Sequence, residues 1–147
     1  MSNPERWQRF PPLPDNIEQA LCQLRPYFEA TGVQLAYLFG SLAQNGRGQD
    51  VDLALLTAGE PIYKLRPALE NHLQTERLDL VDLRKAPPVL RFEIVSTGRL
   101  IYAVNPEVEN EFELSTLHLY RDTAPMRRRQ DQILQERMMA WSSNVKL

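Results

Sequence analysis

Two aspartates and a Gly-Ser pair are the residues of this chain whose types and spacing can do chemistry. Asp50 and Asp52 open the run DVDLALL (50–56), and Gly40-Ser41 stands ten residues ahead of it in LFGS. In an extended chain successive side chains alternate between faces, so Asp50 and Asp52 project to one side while Val51 and Leu53 project to the other. Two acids on one face repel each other, and beside Leu53, Ala54, Leu55 and Leu56 they are costly unless a cation joins them. A hard divalent ion with oxygen ligands is the common remedy. Magnesium suits the pattern, because it takes one or two carboxylates from a protein and fills its other octahedral positions with water and substrate phosphates. Gly40 and Ser41 can cradle those phosphates: a glycine lets the backbone come close, and a serine opening a helical turn offers its hydroxyl and nearby N–H groups to an anion.

The elements that must position these groups are legible on either side. VQLAYLF (33–39) is an apolar strand that delivers Gly40-Ser41, and a spacer of eight residues (42–49) with an NGRG turn leads to the strand carrying the acid pair. RLDLVDL (77–83) alternates apolar and polar residues and reads as a further strand, in which Asp79 and Asp82 point to opposite faces unless a bulge intervenes. Before the first strand, Asp15 or Asn16 can cap a helix with Ile17, Leu21, Leu24 and Phe28 at helical spacing, kinked or divided by Pro26 and closed by Gly32. Pro61 and Pro67 each suit the first turn of a short helix, giving helices near 61–66 and 67–74. Pro87-Pro88 starts another, with Leu90, Ile94 and Val95 inward and Gly98 at its end, before a strand at 99–104.

The order and context of these residues, LFGS followed by DVDLALL, resemble the signature of the DNA polymerase beta-like nucleotidyltransferases, a Gly-Ser turn followed by Asp-x-Asp. Within that superfamily the chain is most similar to the minimal nucleotidyltransferases, the MntA-type antitoxins paired with HEPN-domain toxins. It departs from the common pattern in a slightly shorter spacer and in Gln49, which stands where a serine usually precedes the first aspartate; both bear on the shape of the phosphate loop. The resemblance implies an α+β fold, a small mixed β-sheet of about four strands with helices on one face. It also implies a third acid on a later strand facing the pair; Asp79 takes that place, and Asp82 is the weaker candidate. The implied site then has Asp50, Asp52 and Asp79 as catalytic residues and ligands of two magnesium ions, with Gly40 and Ser41 binding the nucleotide. The implied reaction transfers AMP from ATP to a tyrosine of a cognate HEPN ribonuclease toxin and so neutralises it. Two rivals stand beside this reading: an antitoxin that neutralises by binding alone, and a small-molecule, aminoglycoside-type nucleotidyltransferase, for which 147 residues leave little room to build an acceptor pocket.

Composition sets the outer bounds. The chain is 43% hydrophobic and 24% charged, the profile of one ordinary domain with a real core, and its net charge of -2 gives no electrostatic case for a nucleic-acid substrate. Zinc spacings cannot be built from Cys22, His72 and His118. Cys22 reads as a small core or flank residue and His72 as solvent-facing. The lone cysteine, with neither a secretory leader nor a membrane-spanning run, leads us to expect a cytoplasmic protein. The chain divides into an N-terminal arm (1–14), irregular and with only Trp7 and Phe10 suited to docking, a nucleotidyltransferase core (15–105) and C-terminal helices (106–147). Those helices, 106–122 and a second run after Pro125, suit an antiparallel cap or the surface for a protein partner. Arg127, Arg128 and Arg129 read as solvated, and Met126, Ile133, Leu134, Met138 and Trp141 as core or dimer seam.

Overall fold

The computed structural model describes residues 4–145. In chain order the elements are α1 (Pro4–Trp7), α2 (Ile17–Cys22), α3 (Arg25–Thr31), β1 (Val33–Phe39), α4 (Gly40–Asn45), β2 (Val51–Thr57), a single 3-10 turn (Ile62–Leu65), α5 (Arg66–Leu73), β3 (Leu78–Asp82), α6 (Pro88–Thr97), β4 (Arg99–Ala103), α7 (Pro106–Asp122) and α8 (Ala124–Val145). Pro26 divides the first long helical stretch into α2 and α3 and sits in the opening turn of α3, where its missing N–H breaks no helical bond. Asn105 caps α7, its Oδ1 accepting from the Val108 N–H at 2.8 Å.

The strands form one mixed sheet in the order β3-β2-β1-β4. β1 runs antiparallel to both β2 and β4, whereas β2 and β3 are parallel. A parallel pair needs a crossover, which the 3-10 turn and α5 supply. The mixed sheet of four strands and the α+β class agree with the sequence reading, but the helical cover does not stop at one face. On one side Val33, Ala36, Leu38, Val51, Leu53, Leu55 and Leu78 pack with Leu21, Leu24, Phe28, Leu69 and Leu73 of the early helices and α5. On the other, Leu35, Tyr37 and Ala54 pack with Leu83, Ile94 and Phe112, under α6 and α7. The physical reason is in β2 itself: Leu53, Ala54 and Leu55 are fully buried in succession, which a sheet with one wet face would not permit.

Two further expectations change. The arm is not irregular throughout, since Pro4–Trp7 is helical, and Trp7, one of the two residues suited to docking, is only 3% exposed and lies against the acid-bearing end of the sheet. The apolar residues of α8 are not core in this chain, since Met126, Ile133, Leu134, Met138, Met139 and Trp141 are all exposed. Arg128 and Arg129 are exposed as read, but Arg127 folds back on α7, donating to the Tyr120 carbonyl at 2.8 Å and lying over its ring at 3.8 Å. Cys22 and His72 are exposed. Among the described residues no helix is long and apolar enough to cross a membrane.

Candidate metal and nucleotide site

The acids gather where β1 ends and β2 and β3 begin. Asp50 lies one residue before β2 and is fully buried; Asp52 is the second residue of β2 and 6% exposed. The parallel register of β2 and β3 sets Asp52 opposite Asp79, so the two carboxylates leave the same face of adjacent strands. One carboxylate oxygen from each of Asp50, Asp52 and Asp79 lies within 4.8 Å of the others. Asp82 does not join them; its Oδ1 accepts from the Arg84 N–H at 3.0 Å and shapes the turn after β3.

So many acids in a dry corner disturb their own ionisation. Asp52 is pushed up to about 7, first by burial and then by the charges of Asp50 and Asp79. Asp50 is also raised by burial, against the lowering effect of the Trp7 indole N–H, which donates to its Oδ2 at 3.0 Å. Its other oxygen, Oδ1, is buried with no hydrogen-bond partner. A buried carboxylate oxygen left unsatisfied beside two further carboxylates is the donor set a hard divalent cation needs, and all ligands offered are oxygens, which suits magnesium. On that ground the residues present fit the metal that the resemblance implies.

The Gly-Ser turn is built against these acids. β1 pairs Phe39 with Asp52, so Gly40 follows directly beside the Asp52 carboxylate. Gly40 has φ +76°, and a methyl group placed on it would collide with Asp52 Oδ2, so both conformation and space demand glycine here. The spacer closes on the turn as well: a Cβ on Gly48 would stand 2.8 Å from Ser41 Oγ and 3.1 Å from the Leu42 nitrogen.

A strand ending in Gly-Ser, a buried Asp-x-Asp and a third acid on the parallel neighbour form one ordered constellation. The family model for polymerase beta nucleotidyltransferases matches residues 23–107, which includes all of it. The chain belongs to the polymerase beta nucleotidyltransferase family.

Other relatives of this nucleotidyltransferase are more specific. It is 34% identical over 99 residues to the protein adenylyltransferase MntA of Shewanella oneidensis, an alignment covering 60% of this chain and 67% of MntA. Its fold is similar to a chain in the solved complex of a tri-AMPylated Shewanella oneidensis HEPN toxin with its MNT antitoxin, at a TM-score of 0.63 and 26% identity, covering 80% of this chain and 98% of that one. A toxin-antitoxin crystal structure with AMP-PNP matches at a TM-score of 0.61 and 28% identity, covering 83% of this chain and 99% of its own.

The nucleotidyltransferase fold also brings in residues that sequence reasoning missed. A cavity of about 440 Å³ opens beside the turn, lined by Gly40, Ser41 and Asp52 together with Phe39, Gln44, Leu90, Glu93, Ile94 and Thr97. Glu93 and Thr97 stand one helical turn apart on α6, the signal that could have placed them together. The arm supplies the second omission: Arg6 Nη1 forms an ion pair with Asp79 Oδ1 at 2.8 Å, alongside the Trp7 contact to Asp50.

Proposed function

We propose that this chain is an antitoxin acting as a protein adenylyltransferase, which moves AMP from ATP to a tyrosine of a cognate HEPN ribonuclease toxin and thereby neutralises it. The observation that carries the reading is the meeting of Asp50, Asp52 and Asp79 beside Gly40-Ser41, in a chain 34% identical to a protein adenylyltransferase. Asp50 and Asp52 would hold one magnesium ion, and all three acids a second. When bound, such a pair stabilises the attacking and leaving oxygens of an in-line displacement and lowers the pKa of the acceptor hydroxyl.

The chain's own residues do the rest. Ser41 and the backbone at Gly40 steady the β and γ phosphates, and the cavity under α6 takes the remainder of the nucleotide. The acceptor oxygen forms a bond to the α phosphorus as the bond from that phosphorus to the bridging oxygen breaks, and pyrophosphate leaves. Asp79, the least enclosed of the three acids, would receive the hydroxyl proton. Each phosphodiester gained places negative charge on the toxin, where it competes with RNA phosphate. The cytoplasmic placement expected from sequence belongs to this reading.

A second reading, neutralisation by binding alone, draws on the exposed apolar residues of α7 and α8, among them Leu114, Leu117, Leu134, Met138 and Trp141. The double variant Asp50→Asn, Asp52→Asn separates the two. A transferase so altered binds the toxin and leaves it active, whereas a pure binder still neutralises it.

A further inference from the structure

We infer that Pro4–Phe10 is a strap that covers the Asp79 side of the acid cluster while leaving the nucleotide side open, and that it competes with a metal ion for Asp79. The inference rests on the transferase reading above. Its first support is the pairing of donors with the acids. Arg6 holds Asp79 Oδ1 at 2.8 Å, and the Trp7 indole N–H holds Asp50 Oδ2 at 3.0 Å. The guanidinium thus engages one of the two Asp79 carboxylate oxygens and supplies there the positive charge that a cation would bring. Asp52 lines the nucleotide cavity, so that side of the same cluster is open.

The strap has a clasp. Arg77 donates through Nη2 to the Phe10 carbonyl at 2.7 Å and through Nη1 to the Gln49 carbonyl at 3.1 Å, tying the end of the strap to the residue before Asp50. Arg6 lies over the Trp7 ring at 4.5 Å, and Phe10 meets that ring at a centroid distance of 6.0 Å. The hold is nevertheless slight. Arg6, Gln8 and Arg9 are exposed, and Trp7 belongs to neither apolar core cluster. A terminal segment held by polar contacts and one buried ring opens at lower cost than the sheet beneath it.

The geometry orders the events. None of the residues lining the cavity beside Gly40 and Ser41 comes from the strap, so nucleotide enters with the strap down. On the transferase reading the acceptor hydroxyl, by contrast, meets Asp79, the acid that takes its proton and that Arg6 covers. A closed strap therefore keeps a bound nucleotide from unintended acceptors, water among them, until magnesium at Asp79 displaces Arg6.

The test uses the full chain with Trp141→Phe, which leaves Trp7 as its single tryptophan. A non-hydrolysable ATP analogue and then magnesium are added while Trp7 emission and its quenching by acrylamide are followed, with binding heats measured in parallel. The analogue alone should leave Trp7 protected, and saturating magnesium should shift its emission to the red. Arg6→Ala, an exposed change that spares the fold, should bring that shift at roughly tenfold lower magnesium, because the strap no longer competes for Asp79. Magnesium binding with Trp7 emission unmoved overturns the strap, even where Arg6→Ala tightens binding, since Arg6 then acts only as a charge. Absence of any magnesium or nucleotide binding in both proteins overturns the transferase reading instead, and the strap with it.

Discussion

Removing the charge of Asp52 should stabilise the metal-free protein while destroying its metal site. The carboxyl of Asp52 moves from an ordinary 3.8 to about 7 on folding, because burial and the neighbouring Asp50 and Asp79 disfavour its charged form. The folded state therefore holds a proton that the unfolded chain has released, and stability falls as pH rises from the unfolded value to the folded one. Each pH unit separating those two values is worth about 1.4 kcal/mol, so the full loss is on the order of 4 kcal/mol, of which roughly 3 kcal/mol falls between about pH 5 and about pH 8. In the Asp52→Asn variant that loss is absent. In thermal unfolding with a chelator present, the variant's advantage over the parent should grow by roughly 3 kcal/mol across this range, or roughly 6–12 °C in Tm for a chain of this size. Magnesium at the upper pH should recover the parent and not the variant, since only the parent gains a ligand-linked stabilisation. A difference between the two proteins that stays flat with pH, or a variant that loses ground as pH rises, would refute the electrostatic account of the cluster.

Other expectations follow from single contacts. Gly40→Ala should cost roughly 1–3 kcal/mol in a urea titration, and abolish AMP transfer, because it imposes a positive φ on alanine and pushes a methyl into Asp52. Tyr37→Phe should cost about 1–2 kcal/mol while leaving magnesium affinity unchanged in calorimetry, since the buried Tyr37 hydroxyl donates to Glu113 Oε1 at 3.0 Å, away from the acids. Phe112→Ala, which empties the centre of the α6–α7 face, should cost about 3–5 kcal/mol by the same titration. Leu134→Asp with Met138→Asp should leave stability within roughly 0.5 kcal/mol of the parent, because both side chains are exposed on α8, yet weaken capture of the partner toxin in a pull-down.

The parts of this protein that were legible in sequence are those set by local pattern. Alternation and apolar runs located β1 at 33–39, and the helix at 106–122 has the bounds its apolar spacing suggests. Asp79 was placed by family resemblance, and the register of β2 and β3 explains why it faces Asp52. The arm was legible only in part: Trp7 reads as able to dock, and it docks. Its partner was not legible, because Trp7 and Asp50 are 43 residues apart and a polar, proline-bearing segment carries no periodicity that points to the acids. The second helical layer had a signal that pointed the right way: Leu53, Ala54, Leu55 and Leu56 form a continuous apolar run, which belongs to a strand covered on both faces. On α8 the same kind of evidence misleads, because an apolar stripe marks a surface that wants a partner without saying whether that partner lies in the same chain.

The central claim is that three acids beside a Gly-Ser turn let this chain transfer a nucleotide to a protein. The most direct test incubates the purified chain with magnesium, labelled ATP and its cognate HEPN protein, and then maps the partner's peptides by mass spectrometry. The account expects AMP on a tyrosine of that partner, with pyrophosphate released and no label when Asp50 and Asp52 are both asparagine. An unlabelled partner whose ribonuclease activity is silenced all the same would contradict it.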